Sequence, residues 1–210
     1  MAKTAKREAS ALTRVHILDA AEELFADKGY DGTGIMEISK EAGVPKSLIY
    51  YYFESKDEIL KELINRLVQE SLDFKKDKFP IEDADKFLTK EGITRMMEIS
   101  YPFFLSHKRM YQIIHQEALK KEFIGDFLMK LQMSQQESID YFEKAGMKVD
   151  KELLKFGHFF LILMPFLSFV VYKEKWSEYN NTDPEKLHDK FFDLLSDITT
   201  LIVNKSVSKE

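Results

Sequence analysis

Val44-Pro45-Lys46-Ser47-Leu48-Ile49-Tyr50-Tyr51-Tyr52-Phe53-Glu54-Ser55-Lys56-Asp57-Glu58 sets four aromatic side chains in a row, with a lysine close by on either side. Consecutive positions on a helix point about 100° apart, so these rings cannot share one face. Pro45 suits the first turn of a helix, and from there Ile49 and Phe53, four residues apart, form a core pair on one face. Tyr51 then lies roughly opposite, with Tyr50 and Tyr52 flanking and Ser47 near Tyr51. The outer side presents Ser47, Leu48 and Tyr51, with Lys46 at its start. An exposed aromatic among polar groups is unusual on an inert surface.

Working outward, Gly43 in the Ala42-Gly43-Val44 link tolerates the left-handed conformation of a tight turn. Before it, Thr33 is placed to cap a short helix carrying Ile35, Ile38 and Ala42. Earlier still, Val15, Leu18, Ala21, Leu24 and Phe25 recur at helical spacing until Gly29. Downstream, Ser55 and Glu58 make a capping box that opens a fourth helix with Ile59, Leu60, Leu63, Ile64 and Leu67, running to about Lys76. Four helices with a three-residue turn between the second and third make a helix-turn-helix layout. Further helices are expected near 84–105, 108–120, 121–145, 150–175 and 184–204, the last opened by Asp183-Pro184-Glu185, or about nine in all.

The 210 residues include 17 Phe, 9 Tyr and 9 Met against 8 Gly and 5 Pro, which favours long helices and few tight turns. The chain reads as all-α. Absence of cysteine excludes disulfides, thiolate metal sites and cysteine nucleophiles, and is compatible with a reducing cytoplasm. The net charge of −5 argues against indiscriminate nucleic-acid binding, but Lys3, Lys6, Arg7 and Arg14 make the first sixteen residues basic. No apolar signal segment follows this basic start. No metalloprotease helix, nucleophile elbow or phosphate loop is present, since Gly29-Tyr30-Asp31-Gly32-Thr33-Gly34 follows a helix and lacks the Lys-Ser/Thr ending. No metal spacing occurs, and no cofactor is implied.

The outer face of the third helix fits DNA, because a helix enters the major groove, a tyrosine ring meets a thymine methyl, and hydroxyls reach phosphates. A solvated hairpin with half-buried tyrosines fits the same spacing. The string Thr13-Arg14, Ile17-Leu18-Asp19-Ala20-Ala21, Leu24-Phe25-Ala26, Gly29-Tyr30, Thr33, Ile38, Ala42-Gly43-Val44, Ile49-Tyr50-Tyr51-Tyr52-Phe53 and Ser55-Lys56-Asp57 resembles the DNA-binding domain of the TetR family of bacterial transcriptional repressors. The resemblance covers residues 12 to 60. It implies that the third helix is the recognition helix, that Tyr50 and Tyr52 meet the DNA backbone, that Lys56 holds a phosphate, and that Thr33 opens the second helix at the DNA edge. The candidate DNA contacts are Arg14, Thr33, Gly34, Lys46, Ser47, Leu48, Tyr50, Tyr51, Tyr52 and Lys56. Pro45 replaces the usual serine cap, Ser47 stands where glycine is frequent, and Gly34 stands where a second hydroxyl residue is common.

The resemblance further implies a basic arm and DNA-binding domain over 1–56 and a ligand-binding and dimerisation domain over 57–210, joined by the helix 57–76. Dimer contacts would come from the last two helices. Both carry apolar stripes, and the candidates are Gly157, Leu161, Ser168, Phe191, Leu195, Ile198 and Ile202. A stripe fits intramolecular core equally well. Phe159 to Val171 is apolar on nearly every side but shorter than the roughly 20 residues a membrane span needs. It therefore reads as a buried helix. Aromatic and Met residues crowd the middle helices, and Phe103, Phe104, Tyr111, His115, Phe127 and Met164 are candidates to line an apolar pocket. The sequence thus points to a homodimeric regulator, a repressor released from double-stranded operator DNA by a small, mainly apolar molecule. The alternatives are a carrier or sensor of apolar ligands whose helix-turn-helix end binds protein, and an enzyme with an unrecognised site.

Overall fold

The computed structural model describes residues 2–79, 88–118, 120, 129, 135–136 and 139–209, and side chains from residue 9 to residue 208 within these. The chain divides into two compact units, Met1–Glu70 with Arg109–Ile124, and Ser71–Lys108 with Gly125–Glu210. Among the described residues, the fold is all-α apart from one pair of three-residue strands.

In the first unit, α1 spans Ala2–Lys28, α2 Ile35–Glu41 and α3 Lys46–Tyr52. The helix α4, Lys56–Lys78, contributes its residues up to Glu70 here and the rest to the second unit. α1 ends at Gly29, whose φ of +78° only glycine adopts without strain. The cap of α2 is Gly34 rather than Thr33: the Gly34 N–H is taken by the Glu37 carboxylate at 2.9 Å, while the Thr33 hydroxyl turns inward. Pro45 stands one residue outside α3 as its N-cap, so the helix proper starts at Lys46. Ile17, Ala21, Phe25, Ile38, Ile49, Phe53, Ile59 and Leu63 are all buried. α6, Lys108–Glu117, adds buried Met110, Ile113 and Ile114 to this unit. It is tied to α1 by an Arg109–Glu23 ion pair at 3.3 Å and by Gln116 donating to the Ala26 carbonyl at 3.4 Å.

In the second unit, α5 spans Lys90–Ser106 and begins later than the apolar periodicity predicts. The Thr89 hydroxyl accepts from the Gly92 N–H at 3.1 Å and sets the boundary. Residues 80–87, where an earlier start was expected, and most of the expected helix 121–145 lie outside the described residues. The strand β1, Met147–Val149, pairs antiparallel with β2, Val207–Lys209. Neither strand was legible in the sequence, because three residues carry no usable alternation. Next come α7, Lys151–Gly157, a π-helical turn His158–Leu163, and α8, Met164–Asn180. The single helix expected over 150–175 thus runs on to Asn180 with a π segment inside it, and it ends at Asn181 in the left-handed conformation. Asp183 caps α9, Pro184–Ser206, as the sequence predicts, accepting from the Glu185 N–H at 3.0 Å.

α9 is the hub of this unit, packing on α5, α7, the π turn and α8. It comes close to Gly157, where a Cβ would come within 2.6 Å of Ile202 Cγ2. Gly157→Ala is therefore expected to lower the unfolding free energy by about 1–3 kcal/mol, the usual cost of overpacking, as read by urea denaturation. Stability equal to wild type would mean that the Ile202 side chain moves aside at no cost.

Candidate nucleic-acid interface

The turn between α2 and α3 is held on both sides. Gly43 has φ of +65°, the Val44 N–H reaches the Ser39 carbonyl at 3.1 Å, and the Ser39 hydroxyl donates back to the Val44 carbonyl at 2.6 Å. Ile49 and the C-capping Phe53 anchor α3 from beneath, as their spacing predicts. The three tyrosines consequently differ. Tyr51 is 76% exposed and meets Tyr52 edge-on at 5.1 Å. Tyr50 is exposed with the Lys46 ammonium 5.5 Å from its ring. Tyr52 is half-buried and its hydroxyl bonds the Ser10 hydroxyl at 2.8 Å, fastening α3 to α1. Lys46 and Ser47 are exposed and Leu48 is half-buried, so α3 presents a firm, wet face of rings, hydroxyls and one cation.

Three candidate contacts are committed to the fold. Thr33 is 1% exposed, and its hydroxyl donates to the carbonyls of Leu24 at 3.1 Å and Gly29 at 2.9 Å. Its hydroxyl is thus turned inward to carbonyls near the end of α1 rather than outward at the DNA edge. Lys56 donates to the Tyr30 carbonyl at 2.7 Å and the Thr33 carbonyl at 2.9 Å, with its ammonium 4.1 Å from the Tyr30 ring. Arg14 pairs with Glu62 at 2.9 Å and lies over the Phe53 ring. Gly34 stays exposed at the start of α2.

Tyr30 is a residue whose importance sequence reasoning missed. Its hydroxyl donates to the Asp57 carboxylate, and Lys120 lies 5.7 Å from its ring while pairing with Asp31 at 2.7 Å. Burial, then the Asp57 contact, pushes the phenol above its usual range. The Ser55 cap holds as predicted, accepting from the Glu58 N–H at 3.1 Å. Exposed Met36 and Lys40 on α2 were likewise missed, although both lie two residues from the buried Ile38, on the opposite side of the helix.

The expected effector residues fall in different units. Phe103, Phe104 and Met164 belong to the second, Tyr111 and His115 to the first, and Phe127 lies outside the described residues. Phe103 stacks on Phe74 at 4.6 Å and Phe104 meets Phe166 edge-on at 4.8 Å. Burial raises the Tyr111 phenol and lowers the His115 imidazole from their ordinary ranges. Among the described residues, no group of three or more metal-ligating side chains occurs.

The expected dimer residues also divide. Gly157, Leu195 and Ile202 are buried within the chain, and Phe191 stacks on Phe169 at 4.0 Å, so these four are occupied by intrachain packing. Ser168 is half-buried. Leu161 and Ile198 are exposed, together with Phe156, Phe160, Leu194 and Leu201. By length and composition alone, the helix Lys151–Asn180 could cross a membrane.

Residues 17–63 match the family model described as bacterial regulatory proteins, tetR family. The biofilm operon icaADBC negative transcriptional regulator IcaR of Staphylococcus epidermidis is 35% identical over 78 residues, covering 35% of this chain and 42% of that protein. The transcriptional regulator AcrR of Shigella flexneri is 43% identical over 63 residues, covering 30% and 29%. The chain thus spans less than half the length of these curated relatives. Over the whole fold, the Bacillus subtilis regulator FadR, solved in complex with stearoyl-CoA, superposes with a TM-score of 0.62 at 20% identity, covering 87% of this chain and 97% of that one. The helix-turn-helix segment, residues 17–63, thus matches the DNA-binding domain of the tetR family of bacterial regulatory proteins, and over its length the chain shares the fold of solved tetR-like regulators.

Proposed function

We propose that this protein is a ligand-responsive transcriptional regulator that binds a palindromic operator as a homodimer in the cytoplasm and is released by a small, mainly apolar molecule. Residues 1–56 bind DNA and 57–210 carry effector binding and dimerisation. The supporting observation is the outer face of α3, where Lys46, Ser47, Tyr50 and Tyr51 stand exposed on a helix locked from beneath. Rigid presentation matters because base contacts tolerate little misplacement. Repression is favoured over activation by the likeness to IcaR, a negative regulator. An apolar effector is favoured by the aromatic interior of the second unit and by the stearoyl-CoA bound to FadR.

Operator selection from random duplexes, followed by titration, tests the reading. Tyr51→Ala is expected to weaken the selected operator about 5- to 100-fold, as loss of a base contact does, while leaving non-specific binding unchanged. Lys46→Ala should weaken both and lower the salt slope by about one. A protein that selects no sequence fails the proposal outright. If it selects an operator that the Tyr51 variant binds like wild type, readout by that ring is excluded.

A further inference from the structure

Inside the second unit, α5 and α8 carry three buried polar side chains, Tyr101, Lys173 and Ser177, with little polar compensation among the described residues. Lys173 is 8% exposed, yet among the described residues its ammonium pairs with only the exposed Glu185, at 3.9 Å. Its other near neighbours are the rings of Tyr101 and Phe169, at 5.7 and 5.9 Å. Ser177, one turn further along α8, is 2% exposed, and among the described residues its hydroxyl has no hydrogen-bond partner. The Tyr101 hydroxyl is likewise buried without one. Lys173 and Ser177 are four apart and share a helix face, and Lys173 lies against the Tyr101 ring. Burying an ammonium and two hydroxyls without compensation costs several kcal/mol in principle, and a surface carboxylate at 3.9 Å offsets little of that.

We propose that Lys173, Tyr101 and Ser177 form an anion-recognition subsite that takes the carboxylate of an amphiphilic effector. One cation and two hydroxyl donors match the two oxygens and single charge of a carboxylate. The surroundings specify the rest of the ligand. Tyr101 lies among Phe166, Phe169, Phe192 and His188, with centroid distances of 4.9 to 6.3 Å, so a molecule anchored at the trio would have packed aromatic rings as its neighbours. An acid with an apolar body fits, whereas a wholly polar anion leaves those rings unused. The inference rests on the effector-responsive reading and narrows its ligand from apolar to acidic and amphiphilic.

The test uses decanoate and decan-1-ol, matched in chain length and differing in the head group, titrated calorimetrically into the full-length protein without DNA. Decanoate is expected to bind at least tenfold more tightly than decan-1-ol. Lys173→Met should abolish that preference, Lys173→Arg should retain most of it, and Tyr101→Phe and Ser177→Ala should each weaken decanoate alone by severalfold. Equal binding of the two probes, no binding of decanoate, or a preference that survives in Lys173→Met overturns the proposal. If Lys173→Met does not fold, the hydroxyl variants decide, and decanoate affinity unchanged in both overturns it. A separate operator titration keeps the two readings apart. A decanoate preference with unchanged operator affinity supports the subsite and removes its regulatory role, whereas operator release by neutral apolar compounds without any decanoate preference overturns the subsite and leaves the regulator standing.

Discussion

Ile198→Asp is expected to yield a folded monomer whose operator affinity is about 100-fold or more below wild type. Leu194, Ile198 and Leu201 recur at spacings of four and three along α9, so they share one face, and all three are exposed, Leu194 by 64%. Leu195 and Ile202 lie about a quarter turn further round the same helix and are buried within the chain. A charge at Ile198 therefore stays hydrated in a single chain but is desolvated when two copies meet. In a two-fold interface the change appears twice, and neither carboxylate gains a partner. Operator affinity follows, since a dimer presents its second recognition helix at high effective concentration and a monomer does not. Sedimentation and circular dichroism read assembly and folding, and an operator titration reads function. Leu195→Asp is the contrasting control, expected to unfold the chain. A folded Ile198 variant that remains dimeric would remove this face of α9 from the interface.

Stability is expected to fall by up to about 3 kcal/mol between roughly pH 6.5 and pH 4, in a step that depends on His158. This imidazole sits in the π turn, where burial, aided by the Lys75 ammonium, pulls it down to about 4. The Gln135 side-chain amide lies 3.0 Å from its Nδ1, a contact suited to the neutral ring. Its folded-state pKa is thus below its unfolded value, so in this window the unfolded chain binds the extra proton. The stabilisation is complete above about pH 6.5 and is lost as the pH falls through the window towards 4. His115, also held down by burial, contributes in the same direction. Urea unfolding of wild type and His158→Asn at several pH values isolates the effect, because carboxylate titrations appear in both. Parallel pH profiles would show that His158 carries no such penalty.

Local chemistry made the DNA-binding end legible. Ile49 and Phe53 are core because they are four apart, Tyr51 is exposed because it lies opposite them, and Gly43 and Ser55 mark a turn and a cap through properties of single residues. The all-α class follows similarly from composition and period. What the sequence could not reveal is how each polar group is spent. Lys56 and Thr33 have residue types suited to phosphate, yet both are spent on carbonyls near the end of α1 and in the turn after it, and only the packed corner shows those carbonyls within reach. The same limit applies to the stripes on the last helices. Periodicity reports that a face is apolar but not which apolar face is covered first, and the approach of Gly157 to Ile202 consumed one side of α9 while Leu194, Ile198 and Leu201 stayed bare. The buried trio of Tyr101, Lys173 and Ser177 is the furthest from view, since it joins residues more than seventy positions apart that have no common motif. Short-range preferences can be read from neighbours in the chain, whereas burial and hydrogen-bond satisfaction depend on neighbours in space and are decided only when the helices pack.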